Sequence, residues 1–200
     1  MQHTINNFEI ISSLLDFPRD KSFYFMQVLK RRKENPELKS NSLVINNYYL
    51  YEKGDLEKLK ERIVEDCVKN NARAYINVNT LDLEKIAMFA MQKTVELVIK
   101  GDFKAVKNAY ASTCGSHHSE ENKRWVIDID TFDRQFIDKV RGEIEVLQAE
   151  IKGNQYKILA EIPTKNGLHI ITNPFNLKKF QDKNLGVDVH KNNPTILFVP

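Results

Sequence analysis

Trp125-Val126-Ile127-Asp128-Ile129-Asp130 sets two carboxylates at alternate positions behind a run of large apolar side chains. Strict alternation predicts a β-strand, here Arg124 to Asp130, with Asp128 and Asp130 on one face and Ile127 and Ile129 on the other. Downstream, Phe136, Ile137, Val140, Ile144, Leu147 and Ile151 recur at three- and four-residue spacings, which predicts a helix over 132–151. Gly153-Asn154 ends it. Strands are predicted at Gln155 to Ile162 and at Leu168 to Thr172, joined by the turn Pro163-Thr164-Lys165-Asn166-Gly167. Asn173-Pro174 starts a second helix to about Asp182, and Thr195 to Val199 is a last strand. The order is β-α-β-β-α-β, the ferredoxin-like plan also used by RNA-recognition modules. In that plan the first and third strands lie side by side. With Ile170 turned to the core, His169 shares the face of Asp128 and Asp130.

Toward the N-terminus the signals are plainer. Residues 19–34 read as a helix with a basic end, Lys30-Arg31-Arg32-Lys33, stopped by Pro36. Ser42 to Tyr51 reads as a strand, Gly54-Asp55 opens a helix to about Asn70, and Arg73 to Asn79 alternates as a strand. Leu81 to Ile99 is apolar over helical length and Gly101 caps it. From Ala111 to Asn122 the chain turns polar and reads as a loop between modules. The expectation is an α+β protein: one domain over 1–200, with an N-terminal α/β module over about 1–111 packed on a ferredoxin-like module over about 123–200.

The bulk numbers suit a globular protein. There are 200 residues, 42% hydrophobic and 28% charged, with net charge +3. The slight basicity is compatible with a polyanionic partner without demonstrating one. No apolar run has membrane-spanning length and no secretory signal opens the chain, so an intracellular setting is expected. Cys67 and Cys114 form no motif. Cys114 with His117 and His118 falls short of the four ligands a closed zinc site needs.

Carboxylates one residue apart need compensation to stay ionised together. Magnesium or manganese supplies it, taking hard oxygen ligands and sharing its shell with substrate phosphates. A pair of ions held by Asp128, Asp130 and a third carboxylate, Asp188, would activate an attacking oxygen and stabilise a leaving one. His169, Lys165 and Thr164 would grip phosphate, with Lys191 beyond, and Gly167 would permit close backbone approach.

The set resembles the archaeo-eukaryotic primase superfamily. Asp-x-Asp after a hydrophobic strand is its first motif. A Ser- or Thr-containing turn and Gly-x-His is its second, here Thr164-Lys165-Asn166-Gly167-Leu168-His169. An Asp followed by a basic residue and a hydrophobic run is its third, here Asp188, Lys191 and Thr195 to Pro200. The resemblance spans 124–200. It implies a primase-polymerase core in which Asp128, Asp130 and Asp188 bind a two-metal Mg2+ or Mn2+ site and His169 binds nucleotide phosphate. It further implies nucleoside triphosphates and a single-stranded or primed DNA template as partners, with helicase or other replication proteins beside them. Viral and plasmid members make a mobile-element origin a related expectation. The chain departs from the family at Thr195, where family primases often carry His.

Two enzymatic alternatives fit less well. A haloacid-dehalogenase-type phosphatase wants Thr two positions after the second Asp, but Thr131 follows Asp130 directly. A His-x-Thr phosphoesterase wants that motif twice, but His169 and Thr172 are wrongly spaced. An RNA-recognition module should carry stacking aromatics on its central strands, where this chain carries Asp128, Asp130 and His169. A catalytically inactive, primase-like nucleic-acid- or nucleotide-binding subunit is the non-enzymatic alternative.

Overall fold

A computed structural model describes residues 4–117, 123–147 and 156–200. The protein is a mixed α+β structure built on two antiparallel sheets. The first sheet is formed by β1 (Ile5–Asn6), β2 (Ser22–Arg31), β3 (Ser42–Leu50), β4 (Arg73–Asn77) and β10 (Pro194–Val199), in the order β1-β10-β4-β2-β3, with β5 (Leu81–Asp82) paired to β2. The second contains β6 (Trp125–Ile129), β7 (Ile158–Pro163), β8 (Leu168–Thr172) and β9 (Asp188–His190), in the order β7-β8-β6-β9. Helices α1 (Phe8–Leu14), α2 (Asp55–Asn70), α3 (Leu83–Ile99), α4 (Phe103–Val106), α5 (Ala109–Ser116), α6 (Arg134–Val146) and α7 (Leu177–Gln181) complete the described chain. None of these is long and apolar enough to cross a membrane.

Three sequence expectations need correction. Residues 19–34 are not a helix: Ser22–Arg31 is the strand β2, between β3 and β4. It is apolar on both faces, with Tyr24, Met26 and Val28 in one core cluster and Phe23 and Phe25 in another. A strand buried on both sides shows no period-two pattern, and its basic end suggested a helix terminus instead. The second correction is at Ala111–Ser116, which continues α5 rather than forming a loop. Thr113 Oγ1 donates to the Ala109 carbonyl at 2.8 Å and Ser116 Oγ to that of Ser112 at 2.9 Å. These side chains satisfy themselves on the helix they sit in, and Cys114 is buried beneath them. The remainder of that polar stretch, 118–122, lies outside the described residues, as does the predicted helix beyond 147. Third, Thr195–Val199 does not close the second sheet. Its strand, β10, pairs with β1 and β4 in the first sheet, and the short β9 takes the fourth place beside β6.

The two sheets share a core. Val126, Ile162 and Ile171 of the second sheet pack with Met26, Ile76, Leu197 and the helix residues Phe8, Ile11 and Ile63. The other face of the second sheet is covered by α6 and α7: Trp125, Ile127 and Ile129 meet Ile137, Val140, Ile144 and Phe180. In α6 the apolar residues at three- and four-residue spacing form the buried stripe, and Asp133 caps its first turn through Gln135 N.

Candidate active site

The register of the second sheet aligns three side chains. Asp128 on β6 pairs with His169 on β8 and with Asp188 on β9. Residues directly opposite in an antiparallel pair share a face, so all three lie on the face that carries Val126 and Ile171. Asp130 follows β6 by one residue on the same alternation.

A cleft of about 380 Å³ opens there, lined from both sheets. The second sheet and its turns supply Asp128, Asp130, Thr164, Lys165, His169 and His190. The first sheet and the turn after β2 supply Arg31, Lys33, Glu34, Arg73, Tyr75 and Ile196. Asp188, Gly167 and Lys191 are not part of the lining. Asp188 is exposed at the start of β9. The Lys191 ammonium sits 5.1 Å from the Trp125 ring, and Trp125 belongs to the cluster packed against α6 and α7.

Gly167 has a different task from the one its motif suggested. A Cβ built there would overlap the Ile129 carbonyl oxygen and stand 2.7 Å from the Thr131 backbone nitrogen. The close approach it permits is between the β7–β8 turn and the end of β6. It therefore seats the Thr164-Lys165 turn beside Asp130.

His169 is gripped from both sides. Its Nδ1 is 2.8 Å from Thr195 Oγ1 on β10, and its Nε2 is 3.4 Å from Asp128 Oδ1. Thr195 is fully buried. The position at which the chain departs from the family pattern is thus a direct neighbour of the motif histidine. The hydrogen bond from His169 holds the Asp128 carboxyl below its ordinary range, outweighing the opposing effect of burial, with the nearby His190 adding to it.

The basic run that sequence reading assigned to a helix end is at the cleft instead. Arg31 and Lys33 line it, and the Arg31 guanidinium lies 6.0 Å from the Tyr75 ring. Lys30 points elsewhere, to Glu37 at 3.4 Å.

Two asparagines that no motif announces fix the strands around the site. Asn79, nearly fully buried, accepts from Arg124 N at 2.7 Å and donates to the carbonyls of Arg124 and Lys191. It ties the start of β6 to the end of β9. Asn7 donates to the carbonyls of Pro163 and Ile196, both at 3.0 Å, and ties the end of β7 to β10. Only tertiary structure brings these backbone groups together, so local sequence carries no trace of either role.

Asp128, Asp130 and Asp188 offer hard oxygen donors on adjacent strands, the chemistry a magnesium or manganese ion takes. Among the described residues, no three His, Cys, Asp or Glu side chains are gathered tightly enough to hold an ion as they stand. Comparison of the chain with family models, curated proteins and solved structures finds no match.

Proposed function

We propose that this chain is a metal-dependent nucleotidyltransferase of the primase-polymerase kind, adding nucleotides on a nucleic-acid template. The observation that supports this best is the grouping of Asp128 and Asp130 with His169 and the Thr164-Lys165 turn in one cleft. Carboxylates and cations lining one cleft suit a substrate that carries both a metal and a polyphosphate. The finer fold reading belongs to the same proposal: the β6-α6-β7-β8-α7-β9 unit is the catalytic half of a primase-polymerase core.

In this reading Asp128 and Asp130 hold divalent cation, and Asp188 completes the set. A cation held by these carboxylates would supply charge neutralisation at the phosphates and a Lewis acid for the attacking oxygen. The residues of the chain do the rest. His169, steadied through Nδ1 by Thr195, would turn its Nε2 from Asp128 to a phosphate oxygen. Lys165 and Thr164 orient the same group. Arg31 and Lys33 contact the backbone of a template strand, without base reading.

Primer extension on a labelled template, in magnesium or manganese, tests the proposal. Asp128→Ala and Asp130→Ala should each lower the rate by about a hundredfold or more with the fold intact. His169→Ala should weaken nucleotide affinity by about tenfold, the worth of one charge-assisted hydrogen bond. Wild-type protein that adds no nucleotide in either metal overturns it.

The second reading is an inactive relative that binds nucleotide or nucleic acid. The placement of Asp188 outside the cleft lining favours it. Nucleotide binding of equal strength with and without metal, in the absence of any turnover, would establish it.

A further inference from the structure

Glu34 is the only carboxylate that the first sheet and its turns contribute to the cleft lining, among four cations: Arg31, Lys33, Arg73 and Lys165. It is in close contact with Arg73 Nη2, and its Oε1 stands 3.9 Å from Lys165 Nζ. The Arg73 and Glu34 side chains are only 15% and 16% exposed. Yet Arg73 Nε is buried with no hydrogen-bond partner. An unmade bond on a buried donor is costly. A guanidinium offers a planar fork of donors suited to an oxyanion that engages two at once, and Glu34 leaves part of that fork unused.

The three groups differ in freedom. Arg73 is the first residue of β4, in the middle of the first sheet. Glu34 lies in the turn after β2, and Lys165 lies in the turn between β7 and β8. Arg31 and Lys33 line the same cleft, and Glu34 is the carboxylate set against Arg73 and Lys165. Asp128 and Asp130 line the same cleft, and their charge opposes an entering anion, so Arg73 and Lys165 have to outweigh it.

We propose that Arg73 and Lys165 form a seat for the phosphate chain of the substrate, and that the Glu34 carboxylate competes for this seat until a polyphosphate displaces it. The seat is the phosphate end of the nucleotide site proposed above and rests on that reading. Glu34 is then a selectivity residue. A single carboxylate or a monophosphate gains little by replacing it. A triphosphate carries enough charge and oxygens to engage Arg73 and Lys165 together.

Calorimetric titration with inorganic tripolyphosphate, without divalent metal, tests the seat on the full chain. Glu34→Gln keeps the side-chain volume and removes the competing charge, so it should tighten binding by about tenfold. It should also narrow the preference for tripolyphosphate over orthophosphate. Lys165→Met, at an exposed position, should weaken tripolyphosphate by a similar factor. Thermal melts confirm that both variants fold. Unchanged or weaker binding by Glu34→Gln overturns the proposal, as does the absence of binding in both wild type and variant. If metal-nucleotide binds normally while Glu34→Gln changes nothing, the seat fails and the nucleotidyltransferase reading survives. If Glu34→Gln tightens tripolyphosphate but no nucleotide is ever added, the reverse holds.

Discussion

Asn79 shows how much one buried polar side chain can hold. It satisfies a backbone donor of Arg124 and two carbonyls, those of Arg124 before β6 and Lys191 after β9. Removing it strands those groups away from water, at about 1–3 kcal/mol for each that stays unpaired. We expect Asn79→Ala to lower stability by about 2–4 kcal/mol. In urea unfolding this is a lower midpoint at constant slope; a loss under about 0.5 kcal/mol would mean that water replaces the amide fully. The shared face of Asp128, Asp130 and His169 was legible in the sequence because alternation along two strands dictates it. Asn79, Asn7 and Arg73 were not. Their partners lie far along the chain, and a lone polar residue carries no period to read.

At the scale of elements, the β7–β8 turn and the end of β6 meet at Gly167. There is no room there for a methyl group, so Gly167→Ala forces the turn away from Ile129 and Thr131. The cost of such overpacking is about 1–3 kcal/mol. Because the same turn carries Thr164 and Lys165, we expect nucleotide affinity to fall with stability in this variant, measured by calorimetry beside a thermal melt. A stable variant with unchanged affinity would separate the turn from the site. The glycine was visible in sequence as part of a Gly-x-His motif, but its use was not, since close approach to another strand is a tertiary fact. The same limit explains β2 and β9. A central strand apolar on both faces imitates any buried segment, and a three-residue strand is shorter than the periodicity that would reveal it. By contrast α2, α3 and β3 followed their sequence patterns closely, because each has one buried side and one wetter side or a clear capping signal.

For the molecule as a whole, burial sets an alkaline limit. Burial pushes the Cys67 and Cys114 thiols up to about 12, from an ordinary value of 9.0, and the Tyr48 and Tyr49 phenols to about 12 from 10.0. Tyr110 is raised further in the same direction. These groups keep their protons in the folded state after the unfolded chain has begun to lose them. The folded state therefore binds more protons between pH 9 and 12, and stability must fall as pH rises through that window. Urea midpoints at neutral pH and near pH 10.5 measure it. Replacing both cysteines by Ala should flatten the early part of the decline, and an unaltered decline would assign it to the tyrosines alone.

The path of the last strand adds a matter of timing. Asp128 and Asp130 are synthesised well before residues 194–199. Yet the imidazole beside Asp128 is held by Thr195, and β10 must insert between β1 and β4 to bring that threonine into place. Before these residues join, the site has neither the Thr195 grip nor the Ile196 side of the cleft. The cleft is thus assembled from both ends of the described chain, and it is complete only when β10 joins the sheet that β1 began.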